Sequence, residues 1–287
     1  MLVRPIGGGV IVLALALAQL QLAGMSPRRR WTLRRLAGGT ARRIPLRPFR
    51  VLFPFRIWRP LFRVWLATIR AQPDRRNAMR ELLEVYGDAY VGMDRGAVDY
   101  GEGVHPKHRL TRYHDFFVDR LRPGERVLDV GCGIGSVAYD LAERSGATVV
   151  GIDLSPWALE VARTRYAHPR VTYVQSDVLS YEPDGAFDVA VLSNVLEHVI
   201  PRTDLLRTLR TRDGATRLLV RVPSLERDWT VPLREEVGLS YFSDADHELE
   251  YTPELLREEL REAGWEMGEP ILAWGEIWVE ATTVPAG

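Results

Sequence analysis

An α/β fold built on a parallel sheet is predicted here by three observations. From Asn77 onward, short β-branched runs alternate with stretches of helical periodicity. That order makes βαβ units, whose strands pair in parallel under crossover helices. The first run, Arg126–Val130, passes straight into Gly131-Cys132-Gly133-Ile134-Gly135, a strand–turn–helix junction. Charge supplies the third observation, because it sets this region apart from what precedes it. Residues 1–76 carry 16 arginines and one acid, Asp74, for a net +15. Residues 77–287 carry 22 basic and 37 acidic residues, a net −15, which the whole-chain charge of zero conceals. The organisation predicted is a basic, aromatic-rich arm over 1–76, partly helical or disordered, and one α/β domain over 77–287.

The strands expected are Arg126–Val130, Thr148–Asp153, Val171–Ser176, Phe187–Leu192 and Arg217–Val222, with Glu266–Leu272 and Glu276–Ala281 as a terminal pair. Helices are expected over Asn77–Tyr86, Arg109–Leu121, Ser136–Arg144, Pro156–Tyr166, Arg202–Leu209 and Pro253–Ala263, the last closed by Gly264. A chain of 287 residues, 46% hydrophobic and 26% charged, buries a full core without staples. The single cysteine, Cys132, excludes an intrachain disulfide framework and a thiolate-rich metal centre. Nothing cationic lies near it in sequence to activate a thiol, so it is expected to be inert. The six histidines lack ligand spacing such as His-Glu-x-x-His, and no metal is predicted.

In the arm, Val10–Ala18 is nine apolar residues in a row, short of the roughly 20 that span a bilayer. It resembles a signal-peptide core, but the arginines at 28–30, 34 and 35 tend to hold a segment in the cytoplasm. A start at Met25 is a further reading. Downstream, Arg47 to Arg70 interleaves arginine with Phe49, Phe53, Phe55, Trp58, Phe62 and Trp65. Past Pro60, residues Phe62, Trp65, Leu66 and Ile69 follow one helical face, with Arg63 and Arg70 on the other. Three readings stand: a basic helix on an anionic membrane surface, an apolar stripe docked on the domain, and contact with RNA phosphates, the least favoured. Cytoplasmic location, peripheral at the inner membrane face, is the expectation.

Four stretches carry the chemistry. The glycine-rich turn after Asp129 lets the backbone approach a ligand closely, and the helix that follows presents unpaired N–H groups. Asp153 ends the second strand, where an acid can accept both ribose hydroxyls. Asp177 follows the third strand, and Ser193-Asn194-Val195-Leu196-Glu197-His198 follows the fourth. Asp153 or Asp177 alone also suits a helix N-cap; their joint placement favours a ligand.

In this order and spacing the four stretches resemble the class I S-adenosylmethionine-dependent methyltransferases, over roughly Tyr100 to Ala281. The resemblance implies a Rossmann-like, seven-stranded, mostly parallel sheet with helices on both faces and an antiparallel last strand. It implies S-adenosyl-L-methionine as cofactor. Asp129, Gly131, Gly133 and Gly135 then surround the methionine moiety, Asp153 the ribose, Leu154, Asp177 and Val178 the adenine, and Asn194 the sulfonium.

Methyl transfer is an in-line displacement at an activated carbon, so alignment and water exclusion are the main tasks, and a hydroxyl acceptor also benefits from a base. Acceptors bind beyond the carboxyl ends of the strands. There His198 follows strand four, and the polar insertion Ser224–Thr252 after strand five holds Asp244 and His247 among aromatics. These three are the expected catalytic residues. A structural histidine at 198 and a solvated acidic loop are the alternatives. Some quinone-pathway O-methyltransferases hold a divalent ion through Glu-x-x-Glu-His; Asn194 replaces the first glutamate here. The entry segment Tyr100–Arg109 carries the chain's only lysine, Lys107, with His105 and His108, and with the acidic loop it gives a weaker likeness to polysaccharide-associated methyltransferases. Three functions follow: methylation of a small-molecule or glycan hydroxyl, methylation of a quinone or lipid-like acceptor at a membrane, and non-catalytic cofactor binding.

Overall fold

A computed structural model describes residues 55–284 apart from residue 245. The apolar run Val10–Ala18 and the arginine–aromatic stretch before residue 55 lie outside the described residues. The chain divides into two compact units, ending at Thr68 and starting at Ile69. Helix α1 is Phe55–Arg70 and contains Pro60. Trp58, Phe62 and Trp65 on it are exposed, whereas Ile69 is buried. Among the described residues no helix is long and apolar enough to cross a membrane.

The larger unit opens with α2, Arg75–Tyr100, far longer than the helix expected over Asn77–Tyr86. Asp74 caps it by accepting the Asn77 N–H. The expected helix Arg109–Leu121 is instead two: α3, Lys107–Thr111, and α4, His114–Val118. Between them Arg112 takes φ 52°, a left-handed backbone. The break lets Tyr113, His114, Phe116, Phe117 and Val118 all go inside, while α3 buries nothing. Burial outweighs helical continuity there.

The sheet then forms from β1 Arg126–Val130, β2 Thr148–Asp153, β3 Val171–Gln175, β4 Val189–Ser193, β5 Arg217–Pro223, β6 Trp265–Met267, β7 Ile271–Ala273 and β8 Glu276–Thr283. Its order is β3-β2-β1-β4-β5-β8-β6, with β7 also on β8. The first five strands are parallel and β8 runs antiparallel to β5. The sheet has eight strands where seven were expected, because the run expected over Glu266–Leu272 is split into β6 and β7, both paired to β8. Pro270, between them, has no N–H for the ladder.

The connections are α5 Ser136–Asp140 (extended by a π turn, Leu141–Ser145), α6 Pro156–Arg165, α7 Arg202–Thr211, α8 Thr230–Glu236 and α9 Pro253–Glu262. Side chains alternate across the strands: Leu128 and Val130 join one core with Leu205, Leu206 and Leu256, while Val127 joins another with Phe117, Ala138 and Trp278. Both faces are therefore covered, as a parallel sheet requires. The insertion Ser224–Thr252, expected as a polar loop, contains α8. Arginines of α2 hold it, Arg76 to the Glu236 carbonyl (2.8 Å) and Arg80 to the Val237 carbonyl (3.0 Å). Carbonyls at a helix C-terminus lack intrahelical donors, so these guanidiniums fill that need.

Trp265 is fully buried and its indole N–H donates to the Leu206 carbonyl at 2.9 Å. Trp265→Ala is expected to lower the unfolding free energy by about 3–5 kcal/mol, read from urea unfolding; a change under about 1 kcal/mol would show this edge of the core to be dispensable.

Candidate functional site

The carboxyl ends of β1 and β2 lie side by side, since Val130 pairs with Ile152. Beyond β1 the chain turns through Gly131, Gly133 and Gly135, at φ 64°, 53° and 86°. Two of these positions are decisive. A Cβ at Gly135 would stand 2.5 Å from the Tyr173 hydroxyl and 2.8 Å from Ala162 Cβ, so no larger residue fits. A Cβ at Gly133 would meet nothing within 4 Å, so that backbone faces open space. Asp153 ties the tips together: one carboxylate oxygen accepts the Gly133 N–H at 2.8 Å, the other the Ser155 N–H at 2.8 Å.

The open space is a cleft of about 220 Å³, lined by Asp129, Gly131, Gly133, Ser193 and Asn194 on the strand-tip side and by Lys107, Tyr113 and Arg221 among others. Two oxygens are buried there without a partner, Asp129 Oδ2 and Asn194 Oδ1. Burial, with the Asp153 charge adding to it, pushes the Asp129 carboxyl up to about 8, and the Ala138 backbone works the other way. Asn194 is held in a left-handed backbone, φ 57°, while its N–H donates to the Arg221 carbonyl at 2.8 Å. Such a conformation is strained for a residue with a side chain. Cys132 is buried and burial raises its thiol far above the ordinary range. It is chemically quiet at neutral pH.

Sequence reasoning missed much of the cleft's charged wall. Arg221 is buried; its guanidinium pairs with the Glu276 carboxylate (Nε to Oε2, 2.6 Å), donates to Ser193 Oγ at 3.2 Å and stands 4.0 Å over the Tyr113 ring. The signal was a charged residue in the middle of an apolar strand. Tyr113 belongs to a chain of hydrogen bonds: its hydroxyl is 3.2 Å from His108 Nδ1, which is 3.2 Å from His114 Nε2, while His114 Nδ1 is 2.6 Å from Asp140 Oδ2. Burial foremost, then the neighbouring His114, brings His108 down to about 4 and keeps it neutral; burial also raises the Tyr113 phenol to about 12. This network holds one aromatic hydroxyl at the cleft wall.

The remaining expected residues are distributed as follows. Leu154 is exposed beside Asp153, and Asp177, also exposed, accepts the Leu179 N–H at 2.9 Å in a local turn, with Val178 half-buried behind it. None of the three is in the cleft lining. His198 and His247 come together, their rings 4.7 Å apart and edge-on, with Glu197 buried beside them and Asp244 near His247. This cluster also lies outside the cleft lining.

The profile of a family described as a methyltransferase domain matches residues 102–269, more than half of the chain. The chain belongs to that family. It is an S-adenosylmethionine-dependent methyltransferase. It is similar to the ribosomal protein L11 methyltransferase of Burkholderia lata, 41% identical over 102 residues, which are 34% of this chain and 32% of that protein. The Ralstonia pickettii enzyme of the same name is 32% identical over 146 residues, 50% of this chain and 45% of that protein. This methyltransferase thus spans a third to under half the length of these curated relatives. In fold it is similar to the magnesium protoporphyrin IX methyltransferase of Synechocystis with bound SAH (TM-score 0.50, 20% identity, 62% of this chain and 83% of that one). The methyltransferase bound to the Trm112 activator of Haloferax volcanii is comparable (TM-score 0.52, 17% identity, 69% and 97%).

The cleft suits the cofactor on its own terms. Bare backbone at Gly133 admits close approach, and the unpartnered oxygens of Asp129 and Asn194 call for a cation or donors. For Asp129 the pH consequence has a definite sign. Its folded pKa of about 8 lies above the ordinary carboxyl value near 3.8, so between those limits the native state binds the extra proton. Stability from this group is present at low pH and lost as pH rises toward 8. The ligand-free methyltransferase is expected to lose stability over that window, by up to about 1.4 kcal/mol per pH unit from this residue. Asp129→Asn should flatten the slope; unfolding curves at stepped pH that coincide for both proteins would refute the assignment.

Proposed function

We propose that this methyltransferase transfers the methyl group of S-adenosylmethionine to a hydroxyl of a small-molecule or glycan acceptor. The observation that carries the reading is the polar wall that shares the cleft with the strand tips, Lys107, Arg221 and Tyr113. A polar wall suits a hydroxyl-rich acceptor better than an apolar one. When bound, the cofactor supplies a methyl carbon already activated by its sulfonium. Asp129, Gly131, Gly133, Gly135 and Asn194 are proposed to hold its methionine end, Asp153 its ribose, and Leu154, Asp177 and Val178 its adenine. His198 and His247, with Asp244, are the proposed proton acceptors on the acceptor side. The catalytic domain is taken as 77–287 and the arm as a separate appendage over 1–76.

The second reading, a quinone or lipid-like acceptor, has an observation of its own. Helix α1 exposes Trp58, Phe62 and Trp65 alongside Arg59 and Arg63, a composition suited to an anionic membrane surface. Peripheral attachment at the cytoplasmic face of the inner membrane is proposed on that ground. The names of the L11 relatives make a protein acceptor the competing outcome.

Release of S-adenosylhomocysteine, measured against glycans, quinones and ribosomal protein, is expected to be fastest with a hydroxylated small molecule or glycan. Turnover confined to protein would overturn the reading. Asp153→Ala is expected to weaken cofactor binding at least about tenfold, as loss of a hydrogen-bonded carboxylate does; unchanged affinity by calorimetry would remove Asp153 from the site. For α1, full-length protein should sediment with anionic liposomes, and a chain lacking residues 1–76 should not.

A further inference from the structure

We propose that the exposed indoles of Trp274 and Trp229 form a stacking platform for a sugar ring of the acceptor, beside the cleft. The platform rests on the glycan reading above and says where the sugar is held. Trp274 opens the two-residue turn between β7 and β8, since Ala273 pairs with Glu276 across it. Its backbone takes φ 57° and that of Gly275 φ 77°. Two left-handed residues in succession make the hairpin turn whose usual sequence is Asn-Gly or Asp-Gly. A bulky aromatic in the first of those places is strained. Trp274 is nonetheless 71% exposed, so no burial within the chain offsets that strain. Strain kept at an exposed position is characteristic of binding sites.

The turn stands at the carboxyl edge of the sheet. Glu276, next after it, is the register partner of Pro223 at the end of β5 and holds Arg221, which lines the cleft. The Ser224 N–H donates to the Gly275 carbonyl at 2.9 Å. A Cβ at Gly275 would stand 3.0 Å from the Arg227 Cβ, so the segment after β5 lies directly against the hairpin tip. Arg227 fixes that segment, its guanidinium donating to Glu250 and to the Ser224 carbonyl (3.2 Å). Trp229 follows at the start of α8 and is 74% exposed. Two large exposed indoles thus lie one and two residues from a single contact between fixed backbones.

Charge decides what such a surface takes. Glu226 and Asp228 are exposed in the segment that carries Trp229, and Glu276 follows Trp274, while the Arg227 guanidinium is paired with Glu250. Carboxylates so placed repel the phosphates of nucleic acid and of an anionic bilayer. On α1, by contrast, the exposed tryptophans alternate with arginines, the composition of a membrane-surface helix. An uncharged sugar meets no such repulsion. Its ring faces present C–H bonds of slight positive charge to the negative face of an indole, and its hydroxyls donate to carboxylates at the rim.

The test uses full-length protein saturated with S-adenosylhomocysteine on an array of immobilised neutral oligosaccharides, with the best ligand then titrated by calorimetry. Wild type is expected to bind at least one of them. Trp274→Asn relaxes the turn, so its urea midpoint should equal or exceed that of wild type, while glycan affinity falls about tenfold or more. Trp229→Ala should weaken glycan binding similarly, Trp274→Phe should largely retain it, and S-adenosylhomocysteine affinity should be the same in every variant. Failure to bind any oligosaccharide, or binding that Trp274→Asn leaves unchanged, overturns the platform. Self-association that this substitution dissolves, read by light scattering, overturns it too, because the indoles are then a contact between copies of the chain. The glycan reading fails separately, through turnover confined to protein. A glycan methylated with the same KM by wild type and Trp274→Asn leaves that reading standing and removes the platform.

Discussion

One hydrogen bond, from the Gly133 N–H to the Asp153 carboxylate, is the constraint on which the site depends. Strands β1 and β2 end level with each other, and the Cys132 N–H carries their ladder one residue further to the Ile152 carbonyl at 3.0 Å. The next donor in line is Gly133, and it turns to the acid at the tip of β2. On the far side of the turn, the single proton of the Tyr173 hydroxyl from β3 is shared between the carbonyls of Tyr166 (2.9 Å) and Gly135 (3.2 Å). The glycine turn is therefore held by residues of β2 and β3. Asp129 Oδ2, in the cleft lining, stays buried without a hydrogen-bond partner.

The cleft lining carries both signs of charge. Asp129 Oδ2 and Asn194 Oδ1 are buried without a partner, and Lys107 and Arg221 line the same cleft, the latter paired with Glu276. Each buried unpartnered oxygen costs the ligand-free protein about 1–3 kcal/mol, and the left-handed Asn194 adds backbone strain. The core on both faces of the sheet supports that cost, with Leu128, Val189, Leu192 and Leu219 fully inside.

The legible parts of this chain were those whose local chemistry and tertiary role coincide. Strands β1, β2 and β5 are apolar and β-branched because they are buried, and the turn glycines are required by backbone and neighbours alike. Parts that answer only to distant partners were hidden. Nothing local predicts that Arg112 breaks a helix so that Tyr113 and Phe117 can both go inside. Nothing local pairs Arg221 with Glu276, since that contact exists only because β8 runs antiparallel to β5 and sets Arg221 against Trp278 in register. The chain His114–His108–Tyr113 was likewise visible only as an entry segment rich in histidine. His198 and His247 are 49 positions apart, and the backbone pairing of Glu248 with Glu197 is what makes them neighbours.

The insertion after β5 is fixed by contacts that the sheet does not dictate. Helix α8 lies within the matched region 102–269, but α2, which holds it, lies before that region. Three arginine-to-carbonyl bonds join them, from Arg76 and Arg80 to the end of α8 and from Arg234 back to Leu83 (3.1 Å). The insertion after β5 is thereby positioned by a helix that precedes the matched region. The glycine turn lies within that region, and the pairing of α2 with α8 ties the region to the chain before it.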